Sequence, residues 1–313
     1  MVREMGLEPT RRNHTHLKRA CLPFQHSRKC LNIITLRHGF VNIFFLPDAV
    51  VFCWILWYTE KNSLNLEEIA VARFFVSPEE LNDDTIMLTG ENAAHAKVLR
   101  LKVGEEVLVC DGQGHECCCV VTDVNPGQIC LEVSSRQESA SEPTVKASIY
   151  MAFPKADKLE HVIQKATELG AYEIVAFPSA RCVSKPDDKS LKKKLDRWQK
   201  IAASAAEQSG RGRIPEVIVV KSYTEALARA AKADKAILFY ENERATTLRQ
   251  KLSDGDFRTI SLMSGPEGGL EASEVEKAKN TGLSICTLGS RILRCETAPL
   301  CALSAVMYAS GEF

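Results

Sequence analysis

Two glycine-containing loops near the C-terminus carry residues that could bind a small molecule. The first loop, residues 264–269, reads S-G-P-E-G-G and follows the apolar run 260–263. The second loop, residues 289–294, reads G-S-R-I-L-R and follows the apolar run 284–288. Glycine allows unusual backbone dihedrals and lets another molecule approach the main chain closely. The loops match neither G-x-G-x-x-G nor G-x-x-x-x-G-K-[ST], so they do not indicate a dinucleotide or nucleoside triphosphate site.

Each loop connects a predicted strand to a predicted helix. The helix after the first loop has acidic residues in its first turns and ends near Gly282. The second helix spans residues 297–310, with Pro299 in its first turn. In an open α/β sheet, ligands bind at the carboxyl ends of the strands. We therefore expect the two loops to form one ligand site, the alternative being that the glycine-rich loop is a structural turn.

The chain from about residue 145 alternates between apolar runs and amphipathic segments. This alternation predicts a parallel sheet with helices on both faces. The further predicted strands are 145–153, 172–177, 216–220 and 235–240, and the helices are 158–169, 188–209, 224–231 and 246–252.

Residues 71–143 have a different pattern, with short apolar runs separated by turn signals. Close spacing of such runs predicts a small β-barrel. Residues 92–101 are expected to form a short helix, and the polar segment 136–143 is expected to be a linker. The predicted strands are 74–76, 85–88, 106–110, 117–124 and 129–133.

Composition narrows the possible functions. The 313 residues suggest about two domains. The 40 basic and 40 acidic side chains balance, so any nucleic-acid surface must be a local basic patch. The 12 cysteines include no C-x-x-C pair and the 7 histidines show no ligand spacing, so no metal site is expected. We expect Cys182, Cys286, Cys295 and Cys301 to be buried free thiols, as is typical of a reducing cytoplasm.

Several spaced motifs resemble the RsmE family, which are 16S ribosomal RNA uridine N3-methyltransferases of the knotted SPOUT superfamily. The main motifs are G-P-E-G-G-L at 265–270, L-G-S-R-I-L-R-C-E-T-A at 288–298, and E-Q-S-G-R-G-R-I-P at 207–215. The resemblance covers residues 71–313. It implies a PUA-like RNA-binding β-barrel over residues 71–143. It also implies a SPOUT-type methyltransferase domain over 144–313, with a parallel sheet and a C-terminal trefoil knot.

The resemblance implies S-adenosylmethionine-dependent methylation of a uridine at N3 in 16S rRNA, at uridine 1498 in the standard numbering. The substrate would be the assembled 30S subunit and the enzyme a cytoplasmic homodimer. The alternatives are a related enzyme acting on tRNA or 23S rRNA, and a non-catalytic RNA-binding assembly protein. The residues that the resemblance implies for cofactor binding are Tyr240, Glu241, Met263, Gly265, Glu267, Gly268, Leu288, Gly289, Ile292, Leu293, Arg294, Thr297 and Ala298.

Methyl transfer to N3 requires loss of the imide proton, which calls for a base or for stabilisation of the uracil anion. Arg294 is the candidate for the anion-stabilising role. Glu296 is the candidate base, and its alternative role is to cap the helix that starts at Thr297.

The family resemblance and the distribution of basic residues together predict an RNA surface. The alternative for each of these residues is a solvated position without a ligand. The predicted RNA-binding residues are Arg73, His95, Arg100, Lys155, Lys158, Arg181, Arg211 and Arg213.

Residues 1–70 lie outside the resemblance. Residues 31–58 are apolar, but they lie too far from the start for a secretory signal peptide. Residues 40–58 approach the length of a membrane helix, yet Asp48 at the centre costs about 2.5–3.5 kcal/mol on insertion. A soluble extension is another alternative. The favoured hypothesis is that translation starts at Val71, because family members resemble this chain from Ala72 onward; membrane attachment is therefore not expected.

Overall fold

The computed structural model describes residues 72–183 and 188–313, together with the backbone of four short strands between residues 33 and 51. The chain divides into two units, Met1–Ile69 and Ala70–Phe313. In the first unit, β1 (Ile33–Leu36) pairs antiparallel with β2 (Gly39–Asn42), and β3 (Phe44–Leu46) pairs antiparallel with β4 (Ala49–Val51).

The membrane-helix alternative concerns residues 40–58. Part of this segment forms strands β2 to β4, and the rest lies outside the described residues. The hypothesis of a start at Val71 also falls outside them. No helix among the residues that the structure describes is long and apolar enough to cross a membrane.

The second unit begins with a five-stranded sheet in the order β5-β7-β8-β9-β6. β5 pairs parallel with β7, and the other neighbours are antiparallel. Alternate residues of these strands point inward and form a core around Phe74, Leu88 and Val109. The elements are β5 (Ala72–Phe75), α1 (Pro78–Leu81), β6 (Thr85–Thr89), α2 (Gly90–Leu99), β7 (Glu106–Cys110), β8 (His115–Asn125) and β9 (Gln128–Glu138).

Six parallel strands form the second sheet, in the order β12-β11-β10-β14-β13-β15. Its central strands are apolar on both faces because helices cover both sides, as the sequence predicted. The elements are β10 (Lys146–Ala152), α3 (Lys158–Glu168), β11 (Glu173–Phe177), α4 (Asp188–Gln208), β12 (Glu216–Val219), α5 (Tyr223–Ala230), β13 (Lys235–Phe239), α6 (Leu248–Ser253), β14 (Thr259–Ser264), α7 (Ala272–Asn280), β15 (Ser284–Cys286) and α8 (Thr297–Ala309).

The predicted elements are present, with ends that shift by a few residues. The largest difference that affects the site is at β15, which ends at Cys286 rather than at residue 288. Thr287 and Leu288 therefore belong to the loop, where they can face a ligand. The trefoil knot stays a prediction.

The segment 136–143, expected to be a linker, is mostly exposed but is anchored to the protein at Ser139. β9 continues through Glu138, and the next residue, Ser139, is buried. A Cβ atom at Gly212 would collide with the Ser139 side chain, so the two segments touch closely. The domain boundary in this segment stays a prediction, and the burial of Ser139 shows that a polar residue in such a segment can still be bonded internally.

Candidate active site

A cleft of about 610 Å³ lies where strands β13, β14 and β15 end. These strands are neighbours in the sheet and parallel, so their carboxyl-terminal loops meet at one edge. Both glycine-containing loops line the cleft, so the two loops lie together as the sequence predicted. The predicted cofactor residues that line it are Tyr240, Glu241, Gly265, Glu267, Gly268, Leu288, Gly289, Ile292, Leu293, Arg294 and Ala298.

The first loop depends on glycine at its last position. Gly269 has a φ of +67°, a conformation that residues with a side chain rarely adopt. A Cβ atom there would also collide with the Glu241 carboxylate in the loop after β13. A side chain at position 269 would therefore displace the Glu241 carboxylate.

The second loop presents apolar side chains toward solvent. Ile292 lines the cleft and is 81% exposed. A large apolar side chain is usually buried, and a ligand in the cleft would cover this one. This observation, together with the size of the cleft, fits a small-molecule cofactor that has both apolar and polar parts.

Lys158, the first residue of α3, joins the two loops. Its Nζ atom lies 3.0 Å from a Glu267 carboxylate oxygen and 3.2 Å from a Glu296 carboxylate oxygen. The same Glu267 oxygen accepts a hydrogen bond of 3.0 Å from the Lys155 backbone N–H. We call this group of Lys158, Glu267 and Glu296 the lysine clasp.

The lysine clasp shifts the pKa of each member. Hydrogen bonding to Glu267 is the main cause that raises the pKa of Lys158. Burial alone would raise the pKa of both carboxyl groups, but hydrogen bonds outweigh it. The Lys155 backbone and Lys158 lower the pKa of Glu267. The Glu296 backbone N–H, the Cys295 thiol and Lys158 lower the pKa of Glu296.

Arg294 lies at the rim of the cleft and is exposed. Its backbone carbonyl accepts hydrogen bonds from Thr297 and Ala298, which fixes the start of α8. Among the described residues, its guanidinium has no carboxylate partner, so its donors are available to a ligand. Glu296 occupies the N-cap position of α8, where its charge favours the helix start, although its side chain makes no capping hydrogen bond.

Two predicted cofactor residues do not line the cleft. Met263 is fully buried in the core of the sheet, because β14 continues to Ser264 before the loop begins. Thr297 is exposed on the first turn of α8. A sequence motif shows which loop is involved. It does not show which residues of that segment face a ligand and which belong to the adjoining strand or helix.

Some lining residues were not named individually in the sequence analysis. They are Phe239, Arg244, Ser264, Pro266, Gly269, Leu270, Thr287, Arg291 and Cys295, and Lys158 was predicted to bind RNA rather than to line this cleft. Ser264, Pro266, Gly269 and Arg291 belong to the two loops that the sequence analysis identified, and the others had no clear signal in the sequence.

The buried Arg211 corrects one RNA-binding prediction. Arg211 is 3% exposed. Its guanidinium donates to Glu142 at 2.7 Å and to the carbonyl oxygens of Thr167 and Ala171 at 3.0 and 2.8 Å. With its donors engaged inside the protein, Arg211 cannot also bind a phosphate, and its role is structural.

The prediction that Arg73 binds RNA is corrected for the same reason. Its guanidinium donates to Glu116 at 2.6 Å, and both side chains are nearly buried. His95 is also engaged, because its Nδ1 atom lies 2.7 Å from a Glu207 carboxylate oxygen of α4. This contact, and one of 3.3 Å between Glu91 and Lys200, joins α2 to α4.

The other predicted RNA-binding residues are accessible to different degrees. Arg100, Lys155 and Arg181 are exposed, although Arg181 donates a hydrogen bond of 2.9 Å to the Gly268 carbonyl oxygen. Arg213 is half-buried and stacks on Tyr172. Lys155 and Arg181 contact neighbouring residues of the first loop, Glu267 and Gly268, whereas Arg100 follows α2 and Arg213 follows α4.

Cysteine burial matches the sequence analysis except at one position. Cys182, Cys286 and Cys295 are buried free thiols, whereas Cys301 is exposed on α8. Within the described part of the chain, no group of three or more His, Cys, Asp or Glu side chains could hold a metal ion.

Sequence profiles of two families match the chain. A profile described as an RNA methyltransferase domain matches residues 141–307, and one described as an RNA methyltransferase PUA domain matches residues 88–134. Ribosomal RNA small subunit methyltransferase E of Bacillus subtilis (strain 168) is 40% identical over 233 residues, which cover 72% of this chain and 90% of the relative. The Mycobacterium tuberculosis protein of the same name is 33% identical over 225 residues, covering 70% and 85%.

Solved structures show the same similarity. Ribosomal RNA small subunit methyltransferase E from Neisseria gonorrhoeae, bound to S-adenosylmethionine, has a TM-score of 0.67 and 30% identity, covering 76% of this chain and 97% of that one. A methyltransferase from Legionella pneumophila in complex with the same cofactor has a TM-score of 0.66 and 29% identity, covering 76% and 98%.

A parallel sheet whose terminal loops enclose a cleft, preceded by a PUA domain, thus places the chain among the S-adenosylmethionine-dependent RNA methyltransferases. Within that class, its similarity to the curated relatives is high enough to identify the family. The chain belongs to the ribosomal RNA small subunit methyltransferase E family, RsmE.

Proposed function

We propose that this protein methylates N3 of a uridine in 16S rRNA, at position 1498 in the standard numbering, on the assembled 30S subunit. The observation that carries this proposal is the 40% identity to a ribosomal RNA small subunit methyltransferase E, over 90% of that relative's length. The lysine clasp and the exposed guanidinium of Arg294 at the cleft rim support the chemistry.

Cofactor binding belongs to the loops after β13, β14 and β15. When bound, S-adenosylmethionine supplies an electrophilic methyl group on a positively charged sulfur. The main chain around Gly265, Gly268 and Gly289 would hold its polar parts, and Leu288, Ile292 and Leu293 would cover its apolar parts. Alignment of the two reactants then supplies much of the rate.

Arg294 stabilises the charge that develops on the uracil ring. Loss of the N3 proton to solvent leaves an anion shared by the two ring carbonyl oxygens, and a guanidinium can donate to such an oxygen. Stabilising this anion lowers the barrier for proton loss at neutral pH. The guanidinium at the rim is exposed and has no carboxylate partner among the described residues, so it is available for this role.

Glu296 is a weak candidate for the base that removes the N3 proton. It is ionised at neutral pH because its pKa is lowered, and the same shift makes it a poor proton acceptor. Its carboxylate is also held by Lys158 and the Cys295 thiol. We propose that Glu296 mainly positions Lys158 and the second loop.

The target uridine must be unpaired or flipped out, because N3 lies on its pairing edge. We propose that the exposed residues Arg100, Lys155 and Arg181 contribute to RNA binding. We also propose the domain bounds 71–143 and 144–313, a knotted C-terminal segment, a cytoplasmic homodimer, and a leader over residues 1–70 that catalysis does not need.

Methyl transfer from labelled S-adenosylmethionine by the full chain tests this proposal. The substrates are 30S subunits from a strain that lacks the gene, free 16S rRNA, 23S rRNA and tRNA. Mass spectrometry of the digested RNA identifies the modified nucleoside. We expect N3-methyluridine in 16S rRNA, with a higher yield from 30S subunits than from free rRNA.

Two results would contradict the proposal. Labelling of tRNA or 23S rRNA alone would keep the reaction class and change the target. Binding of the cofactor by calorimetry without transfer to any of these RNAs would indicate an RNA-binding protein that does not catalyse methylation.

A further inference from the structure

A second cleft lies between the two sheets of the described unit. It has a volume of about 340 Å³. One wall comes from the loop before β8 and the end of β9, and the other from the starts of β10 and β11 and from the loop after α4. We call it the joint cleft. The proposed reaction does not use it.

Two cations in the joint cleft share one aromatic ring. The Arg213 guanidinium carbon lies 4.4 Å from the centroid of the Tyr172 ring, and the Lys146 Nζ atom lies 5.1 Å from it. Cation–π contact holds both side chains in place without using their hydrogen-bond donors. A stacked guanidinium keeps its N–H edge free for an anion.

The carboxylates around the joint cleft leave these two cations unpaired. Glu142 is engaged by the Arg211 guanidinium and by the Arg213 backbone N–H, at 2.7 and 3.0 Å. Within the described part of the chain, neither Lys146 nor Arg213 has a carboxylate partner. Glu138 is the one lining carboxylate without a partner among the same residues, so the unpaired cations outnumber it.

The joint cleft is far from the cofactor cleft. Lys146 pairs with Thr259 at the start of β14, and the cofactor cleft begins at Ser264 at the end of that strand. Five steps of a strand span about 17 Å. An anion in the joint cleft would therefore contact the protein without taking part in the methyl transfer.

We propose that the joint cleft binds a phosphodiester of the RNA substrate, with Arg213 and Lys146 as donors and Tyr172 as the platform that orders them. This inference rests on the proposed function, because rRNA is the polyanion that the enzyme would have to hold. Both sheets line the cleft, so a bound phosphate would also fix the RNA relative to the PUA domain.

Binding of 30S subunits by the full-length protein, titrated over a series of salt concentrations, tests the inference. The variants are Arg213→Gln, Lys146→Gln and Glu138→Gln, with Lys193→Gln as the control because Lys193 is an exposed cation on α4. Each of the first two should weaken binding roughly tenfold. Each should also reduce the slope of log K against log salt by about 0.7–0.9.

Three comparisons separate the role of charge from damage to the fold. Glu138→Gln should strengthen binding, which a misfolded variant cannot do. Lys146→Arg and Tyr172→Phe should bind like the unaltered protein, whereas Tyr172→Leu should not. In steady-state methylation, Arg213→Gln and Lys146→Gln should raise KM for 30S subunits, whereas the control Lys193→Gln should leave both KM and kcat unchanged.

Several results would overturn the inference. One is unchanged affinity and salt slope in Arg213→Gln and Lys146→Gln while the unaltered protein methylates 16S rRNA. Another is an equal loss in Lys146→Arg, which would assign the effect to packing. A third is binding of inorganic phosphate in the joint cleft at constant ionic strength while the substitutions leave the affinity for RNA unchanged. This result would make the cleft a site for free anions rather than for RNA. Failure of the unaltered protein to methylate any rRNA would instead contradict the proposed function.

Discussion

The Nζ atom of Lys158 lies 3.0 Å from the carboxylate of Glu267, and this contact ties the start of α3 to the glycine-rich loop after β14. Because Glu267 is in the loop that lines the cofactor cleft, α3 takes part in shaping that cleft although it contributes only its first residue. Helix α3 is 109 residues from the loop in sequence, so the contact depends entirely on the tertiary fold.

Replacing Lys158 by Met should lower the affinity for S-adenosylmethionine several-fold. The substitution keeps the length of the side chain but leaves Glu267 and Glu296 facing each other without a cation, and the loops should separate. Calorimetric titration measures the change. Lys155→Met is the control, because Lys155 contacts Glu267 through its backbone N–H and keeps that bond. Equal losses in both variants would contradict the role of the lysine clasp.

The contribution of the lysine clasp to the stability of the protein should not change with pH across the neutral range. The pKa of Glu267 is below its ordinary value of 4.5, so its contribution is present above pH 4.5 and is lost as pH falls through the lowered value. The pKa of Lys158 is above 10.5, so its contribution is present below pH 10.5 and is lost as pH rises through the raised value. The difference in thermal midpoint between the unaltered protein and Glu267→Gln should therefore stay constant from about pH 5.5 to about pH 9.5. A change in this difference near pH 7 would contradict the prediction.

Replacing Gly269 by Ala should lower the affinity for S-adenosylmethionine several-fold without unfolding the protein. A Cβ atom would collide with Glu241, and the positive φ would also be strained. Gly282→Ala is the matched control, because Gly282 has a φ of +98° but nothing within 4 Å of a Cβ atom. Both variants should lose about 1 kcal/mol of stability from strain, and only Gly269→Ala should lose affinity in calorimetry. Normal binding by Gly269→Ala would show that Glu241 moves freely.

The sequence predicted the sheet and the site because both depend on local patterns. Strands buried on both faces are continuous apolar runs, and loops that follow parallel strands must meet at one edge. The role of Arg211 could not be predicted in this way. Nothing in G-R-G-R distinguishes the buried arginine from the stacked one, and the partner of Arg211, Glu142, is 69 residues away in a segment that looks like a linker.

Arg211→Gln should destabilise the protein by about 3–5 kcal/mol, because it leaves Glu142 partly buried without its cation. Urea unfolding followed by circular dichroism measures the loss. Arg213→Gln should cost less than about 1 kcal/mol, since Arg213 makes only a partly exposed stacking contact. A small effect of Arg211→Gln on unfolding, combined with a large effect on RNA binding, would restore the original RNA-binding interpretation.

Arg294→Gln should reduce kcat by about 10²-fold, the usual cost of losing one donor to a developing anion. The reduction should appear in kcat rather than in the affinity for 30S subunits, because the charge on uracil exists only near the transition state. Arg291→Gln is the control, as Arg291 lines the same cleft and is equally exposed. Single-turnover methylation with cofactor and 30S subunits in excess isolates the chemical step.

If Arg294 acts on the anion, raising the pH should partly rescue Arg294→Gln, since hydroxide then assists loss of the N3 proton. Loss of cofactor affinity with no change in the single-turnover rate would assign Arg294 to binding instead.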